Sequence, residues 1–402
     1  MPKYATHLCL VSDQATPNLL PVLDPTWQPR KVVLARSKQM VDRAEALAKV
    51  LRPRCHGIEI AMRDLPDAYD YAALSDNFLD FLAGCEGEDV ALNVTGGTKL
   101  MAVAAQEVFR SEGKPVFYVN VQTDEVIVIG QSARWQPLVS KLTVREMLEV
   151  HGHTVSPIRQ IQVTAPQRDV TARLLDHLQS AAEAFGTLNY LAQLAEGKPG
   201  LTTQIDKKNS KWKALQALLF LLEDAQMLRL DGDKLTFADE EARRFVQGEW
   251  LEKHVYQTLQ GLQGKYASIS DVVTGVELEF DQRSRRTGKP LTRNEIDVAC
   301  LYHNTLHLIE CKTANYAKEP GDQDDKAATV LYKLESLQKL GGLRTKTMIV
   351  DLRGHLADQD ANRNRAEESN ILIVHGRELH DLRNVLERKW FSKGGEGKGT
   401  HA

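Results

Sequence analysis

Along the first 150 positions, short apolar runs alternate with stretches in which apolar residues recur every third or fourth place. "THLCLVS", "KVVLA", "GIEIAM", "DVALNV", "KPVFYVNV" and "EVIVIG" read as strands. "MVDRAEALAKVLR", "LSDNFLDFLAG" and "TKLMAVAAQEVFRSEG" read as amphipathic helices between them. A strand that is apolar throughout must be covered on both faces, so this alternation predicts a mostly parallel, doubly wound α/β sheet. Such sheets bind ligands at the carboxyl ends of their strands.

The pattern changes twice more. From about 165 to 240 it is helical, in "VTARLLDHLQSAAEAF", "LNYLAQLAEG" and "KWKALQALLFLLEDAQ", and it closes with two short strands around Asp231-Gly232-Asp233. Helices followed by a β-wing resemble a winged-helix module, and a helical linker that only packs between domains is the plainer alternative. From about 240 a long helix, "EEARRFVQGEWLEKHVYQTLQGL", leads into strands at "SISDVVTGVELEF", "NEIDVACLY" and "TLHLIECKT". The helix "KAATVLYKLESLQKLGGL", the strands "TKTMIVDL" and "SNILIVH" and a last helix, "DLRNVLERKWF", complete the unit. The expected division is 1–150, a Rossmann-like α/β domain; 151–240, a helical, winged-helix-like linker; 241–390, a second α/β domain; and 391–402, a disordered Gly- and Lys-rich tail.

Composition narrows the function classes. A chain of 402 residues exceeds one ordinary core. A net charge of −3 means that any nucleic-acid contact is local. No window holds the roughly 18 apolar residues of a membrane span, and the N-terminus lacks a signal-peptide pattern, so a cytoplasmic protein is expected. Cys9, Cys55, Cys85, Cys300 and Cys311 form no CxxC pair and read as buried thiols.

Candidate chemistry begins in "NEIDVACLYHNTLHLIECKT", residues 294–313. With a two-residue turn at His303-Asn304, Tyr302 faces Thr305, Asp297 faces Glu310 and Glu295 faces Lys312. All four polar residues then share one face, and a one-residue slip would turn them to the other. Opposed carboxylates, with Cβ atoms roughly 4.5–5.5 Å apart, repel each other, and a divalent cation removes that penalty. Oxygen donors suit Mg²⁺ or Mn²⁺. Asp297 followed by Glu310-Cys311-Lys312 resembles the PD-(D/E)XK nuclease superfamily, with Ile296 where that motif has proline. The resemblance implies catalysis by Asp297, Glu310 and Lys312, with metal held by Asp297, Glu310 and a glutamate of the lead-in helix, Glu252, whose buried stripe is Leu251, Val255, Leu259 and Leu262. A loop with Arg285, Arg286 and Arg293 would hold a nucleic-acid backbone, and Lys333 on the next helix is placed to face the site.

The second motif is Asn93-Val94-Thr95-Gly96-Gly97-Thr98-Lys99, where a strand meets a helix. The glycines admit a close ligand and the helix start attracts phosphate, while Thr98 is equally suited to cap the helix. The first strand ends in a loop carrying Ser12, Gln14, Thr16 and Asn18. Together these resemble the CARF domain, the CRISPR-associated Rossmann fold. Joined to a PD-(D/E)XK domain, the layout is similar to CRISPR ancillary nucleases of the Can/Card type. That resemblance implies a homodimer whose CARF domains bind cyclic tetra-adenylate through Ser12, Gln14, Thr16, Asn18, Asn93, Thr95, Gly96, Gly97, Thr98 and Lys99. It also implies a nuclease cutting RNA or DNA when the activator binds. The rival expectations are a non-enzymatic, ligand-responsive DNA-binding regulator and a constitutive restriction or repair endonuclease.

Overall fold

The computed structural model describes residues 3–130, 135–158, 161–279, 294–313 and 323–391. The first unit runs β1 (Thr6–Leu10), α1 (Thr16–Leu23), β2 (Lys31–Arg36), α2 (Val41–Arg54), β3 (Glu59–Asp64), α3 (Tyr71–Ala83), β4 (Val90–Asn93), α4 (Lys99–Ser111), β5 (Val116–Asn120), β6 (Glu125–Val128), β7 (Gln136–Pro137) and α5 (Val144–Val150). Its sheet has the order β3-β2-β1-β4-β5-β6-β7. Pairing is parallel from β3 to β5 and antiparallel beyond. The carboxyl ends of the two central strands, β1 and β4, therefore lie side by side.

The chain then crosses over at once. β8 (Thr154–Val155) joins the edge of the last sheet, pairing with the far end of β12 (Ile269–Glu279). The middle unit follows as α6 (Ala165–Asp176), α7 (Leu178–Ala195), β9 (Thr202–Gln204), α8 (Lys213–Asp224), β10 (Leu228–Asp231) and β11 (Lys234–Phe237). The expected wing is present, with Asp231 paired to Lys234 around Gly232 at φ +61°. β9, which sequence reading missed, adds a third strand in the order β10-β11-β9. The region is thus a small folded module with its own sheet, more than a helical connector.

The last unit contains α9 (Glu240–Arg244), α10 (Trp250–Gln263), β12, β13 (Asn294–Tyr302), β14 (Thr305–Lys312), α11 (Gln323–Leu337), β15 (Lys346–Asp351), α12 (Asp360–Glu368), β16 (Ile371–His375) and α13 (Leu382–Leu386). Its sheet order is β16-β15-β14-β13-β12-β8, antiparallel around β13 and parallel from β14 to β16. Two features differ from expectation. The lead-in helix is not continuous: a π turn over Phe245–Glu249, with Gly248 at φ +148°, separates α9 from α10. α12 was unpredicted because its sequence, DANRNRAEE, has no apolar stripe to read.

Two hydrophobic cores cross the unit boundaries. One joins the middle module to α10, α13 and one face of the last sheet, including Leu191, Leu218, Trp250, Val255 and Val298. The other joins the first unit to the last unit, including Leu34, Met147, Leu301, Leu306 and Leu334. The units therefore pack as one body around shared apolar surface, the dominant favourable contribution to their association. All five cysteines are buried and free. Among the described residues, no helix is long and apolar enough to cross a membrane.

Candidate functional site

The edge formed by β1 and β4 is shaped from inside. A Cβ on Gly96 would stand 2.0 Å from the Leu10 carbonyl oxygen, so only glycine permits this approach. Gly97 follows at φ +75°, a left-handed conformation that side chains disfavour. Asn93 and Asn18 are fully buried. The Asn93 amide donates to the Pro17 carbonyl at 2.9 Å and to Asn18 Oδ1 at 3.1 Å, while Asn18 donates to the Leu10 carbonyl at 2.8 Å. Asn93 Oδ1 accepts from the Thr95 hydroxyl at 2.8 Å, and that hydroxyl in turn accepts from the Val119 amide at 2.8 Å. These groups tie the first loop, β4 and β5 together, so Asn18, Asn93 and Thr95 hold the edge in shape with their polar atoms already used.

Thr98 caps α4, its hydroxyl accepting from the Met101 amide at 3.2 Å. Lys99, the first residue of α4, is exposed, and its position sets a cation beside the glycine turn. Ser12 remains at the edge, its hydroxyl 3.3 Å from the Gln14 carbonyl. Gln14 and Thr16 line a crevice whose far wall includes Asn304, Thr305 and Arg344 of the last unit.

That crevice marks a direct contact between units. His303 and Asn304 adopt φ +46° and +47°, the left-handed pair of a type I′ hairpin turn. Asn304 is buried and donates to Asp124 at 3.0 Å and to the Ser140 carbonyl at 3.2 Å, while accepting from the Leu142 amide at 2.9 Å. Arg344 donates to the Val121 carbonyl. Burial pushes the Asp124 carboxyl up to about 6, and Asn304 pulls it back down. The tip of the β13–β14 hairpin is therefore anchored in the first unit.

The other end of this hairpin carries the charges. The expected register holds: Tyr302 faces Thr305 and the ladder continues to Val298 opposite Ile309. It stops there, one step before Asp297 and Glu310, and the Glu295–Lys312 pair expected further along is not part of it. In place of a further rung, the Cys311 amide donates to Asp297 Oδ2 at 2.6 Å. The strand also rolls at this point. Val298 and Cys300 pack in the core under α10, whereas Ile296, Val276 and Leu278 pack in the other core. Gly275, at φ +60°, lies at the crossover on β12. Asp297 sits on the roll, which brings it within reach of residues from both faces.

Glu310 is 1% exposed. Its Oε1 accepts from Lys333 Nζ at 2.8 Å and from Lys312 Nζ, while Oε2 is buried without a hydrogen-bond partner. Burial, then repulsion from Glu310, push the Asp297 carboxyl up to about 6. Burial, then repulsion from Asp297, Glu249 and Glu295, push Glu252 of α10 up to about 9. Lys312 is pulled toward neutrality by burial, but Glu310 and Asp297 outweigh this and raise it. Glu249, the other glutamate at the start of α10, is ion-paired with Lys253 at 3.3 Å, but the geometry is not that of a hydrogen bond and its Oε2 is, like Glu310 Oε2, buried without a hydrogen-bond partner. The break at Gly248 lets this helix start approach the end of β14: a Cβ there would lie 2.5 Å from Thr313 Oγ1. Thr313 also accepts from Asn189 of α7 at 2.6 Å, which places the middle module beside the site.

Glu252 of α10, Asp297 of β13 and Glu310 and Lys312 of β14 lie close enough to shift one another's protonation. Lys333 joins them from α11. Among the described residues, no three His, Cys, Asp or Glu side chains close into a ready cation cage. Arg285, Arg286 and Arg293 lie outside the described residues.

Residues 6–147 match the Card1 CARF domain and residues 239–393 match the Card1-like endonuclease domain. Over nearly its whole length the chain is similar to the protein VC1899 from Vibrio cholerae, at 27% identity and a TM-score of 0.85, covering 95% of this chain and 97% of that one. It is also similar to Can2 from Sulfobacillus thermosulfidooxidans, solved with cyclic tetra-adenylate, at 24% identity and a TM-score of 0.76, covering 96% and 97%. A type III CRISPR defence DNA nuclease activated by cyclic oligoadenylate aligns at 17% identity and a TM-score of 0.53, covering 87% of this chain and 46% of that one. No curated protein matches by sequence.

Proposed function

We propose that this chain, which joins a CARF domain to a Card1-like endonuclease domain and belongs among the CRISPR-associated CARF nucleases, is a divalent-metal-dependent endonuclease switched on by cyclic tetra-adenylate. The observation that carries the metal site is Glu310 Oε2, buried and unpartnered beside two carboxyls that burial and mutual repulsion hold near protonation. That oxygen has acceptor capacity which the two lysines on Oε1 leave unused, and a cation there would also relieve the crowding of the neighbouring carboxyls. Asp297, Glu310 and Glu252 fit Mg²⁺ or Mn²⁺ by donor type, with water filling the remaining positions. When bound, that ion would lower the pKa of a water and stabilise charge on the phosphodiester.

The chain's own residues supply the rest. Lys312, raised and three-quarters buried, keeps its proton and orients the attacking water. The CARF edge, with its glycine turn, the start of α4, Ser12 and Lys99, receives the phosphates of the activator. A symmetric cyclic ligand suits two such edges meeting on a two-fold axis, hence a homodimer. Binding would bias the packing of the two units around the Asn304 anchor, a coupling between two distinct sites.

The test incubates the full-length protein with RNA, single-stranded DNA and plasmid, with Mn²⁺ or Mg²⁺, with and without cyclic tetra-adenylate. Cleavage that needs both metal and activator supports the reading. Equal cleavage without activator replaces it with a constitutive nuclease. The three-stranded wing of the middle module favours one further alternative, a DNA-binding regulator, for which duplex binding without cleavage under every condition would be the result.

A further inference from the structure

The nuclease site holds two lysines, and they reach one carboxylate from different elements. Lys312 is carried by β14 and Lys333 by α11, and both ammonium groups lie on Glu310 Oε1. Lys333 Nζ also lies 3.4 Å from the Glu295 carbonyl oxygen, so it spans β13 and β14 above Asp297. Leu331, Leu334 and Leu337 bury the stripe of α11 that Lys333 flanks, which fixes the direction from which Lys333 arrives.

The arrangement is layered. The Glu310 side chain is 2% exposed, whereas those of Lys312 and Lys333 are 26% and 34% exposed. The Glu310 carboxylate forms a floor and the two ammonium groups stand between it and solvent, beside the half-buried Asp297 and Glu252. One carboxylate oxygen needs one cation, and a second on the same atom is surplus to it. An anion approaching such a floor is repelled unless positive charge lies between. The anion that this site must admit is a phosphodiester.

We propose that Lys333 is a catalytic residue that binds a non-bridging oxygen of the scissile phosphate and stabilises the charge gathering there. This rests on the nuclease reading and deepens it. In the step, a water oxygen bonds to phosphorus, the bond from phosphorus to the leaving sugar oxygen breaks, the water releases a proton to solvent and the leaving oxygen gains one from solvent. Lys333 stays protonated throughout and exchanges its contact with Glu310 for one with the phosphate, a positioned charge of the kind that dominates phosphoryl-transfer catalysis.

The competing role is structural: Lys333 would only hold Glu310 for the metal. Lys333→Ala, Lys333→Gln and Lys333→Arg in the activator-loaded, full-length protein separate the two. Single-turnover cleavage and Mn²⁺ affinity measured calorimetrically without substrate are compared, with melting temperature as a check on folding. The expected result is a fall in cleavage rate of about 100-fold for Lys333→Ala and Lys333→Gln, with Mn²⁺ bound as tightly as before or tighter, because one repelling charge is gone. Lys333→Arg should recover part of the rate, since a cation is restored.

Weakened Mn²⁺ binding, with the rate recovered at saturating Mn²⁺, would overturn the proposal in favour of the structural role. So would an unchanged rate in Lys333→Ala. If the wild-type protein itself cleaves nothing under any condition, the nuclease reading fails and this proposal falls with it. An active wild type beside an equally active Lys333→Ala refutes the Lys333 role alone.

Discussion

The CARF edge and the nuclease site are both polar clusters at the ends of strands, yet they solve opposite problems. At the CARF edge, the amides of Asn18 and Asn93 and the hydroxyls of Thr95 and Thr98 have partners, and glycine geometry decides the shape. At the nuclease site, three carboxyls crowd together and Glu310 Oε2 has no hydrogen-bond partner. A satisfied edge is a rigid cradle, ready for a ligand but indifferent to its absence. The carboxyl cluster is under electrostatic strain, because burial and like charge act together on Asp297 and Glu252, and a cation at the proposed metal site would relieve it. The difference teaches where each site is vulnerable: the cradle to sterics, the cluster to charge.

The largest expected effect breaks the cluster. Glu310→Gln should lower cleavage by at least about 1,000-fold, since it removes the charge of a central metal ligand, while the melting temperature stays within a few degrees. A gel assay and thermal unfolding check both. Near-normal cleavage would mean that the site lies elsewhere.

Next, Gly96→Ala should break the cradle. Its Cβ would collide with backbone rather than with a flexible side chain. A loss on the order of 2–4 kcal/mol is expected in denaturant unfolding, in the range of strain at a special backbone position, together with loss of activator binding by calorimetry. The same loss of stability from Glu310→Gln would erase the contrast between the two sites.

The third prediction uses pH. Asp297 and Glu252 have folded values of about 6 and about 9, above their ordinary carboxyl values. A raised carboxyl binds more protons folded than unfolded, so its contribution to stability is full below the unfolded value and disappears as pH rises through the folded one. The metal-free protein should therefore lose stability as pH climbs from about 4 toward about 9. A bound divalent ion removes the repulsion, so the melting-temperature gain from Mn²⁺ should widen between pH 5 and pH 8, a scan that differential fluorimetry can follow. A constant gain would argue that the carboxyls are not the ligands. At the CARF edge no comparable pH response of activator-free stability is expected.

The smallest effect tests the link between the sites. Asn304→Gly keeps the left-handed turn but deletes the contacts to Asp124, Ser140 and Leu142. Stimulation of cleavage by cyclic tetra-adenylate should fall by about 5- to 20-fold, the lower part of the range of typical coupling energies, with activator affinity little changed. Undiminished stimulation would move the coupling to the middle module, where the separation of the two motifs along the chain first suggested it.

Much of this was legible in the sequence. The register of the β13–β14 hairpin follows from a side-chain period of two and a two-residue turn, so it could be set from Tyr302–Thr305 to Val298–Ile309 before any coordinates, while the expected Asp297–Glu310 and Glu295–Lys312 rungs are not part of the ladder. The buried stripe of α10 and the alternation that builds the first sheet follow from periodicity in the same way, because burial repeats with the geometry of the element. Elements with weak local patterns were not legible: β9 has three residues, and α12 has almost no apolar face. Nor could spacing reveal that Asn18 and Asn93 spend their amides on each other and on backbone, that Lys333 reaches Glu310, that Gly248 brings Glu252 to Asp297, or that Asn304 docks on Asp124. By itself the sequence determined which residue types carry the chemistry and on which local element, but the roll of β13 between Ile296 and Val298 broke the single shared face that strict alternation implied. Only the tertiary structure decided which of them meet, since contacts between distant segments depend on how two shared cores pack, and no local period encodes that packing.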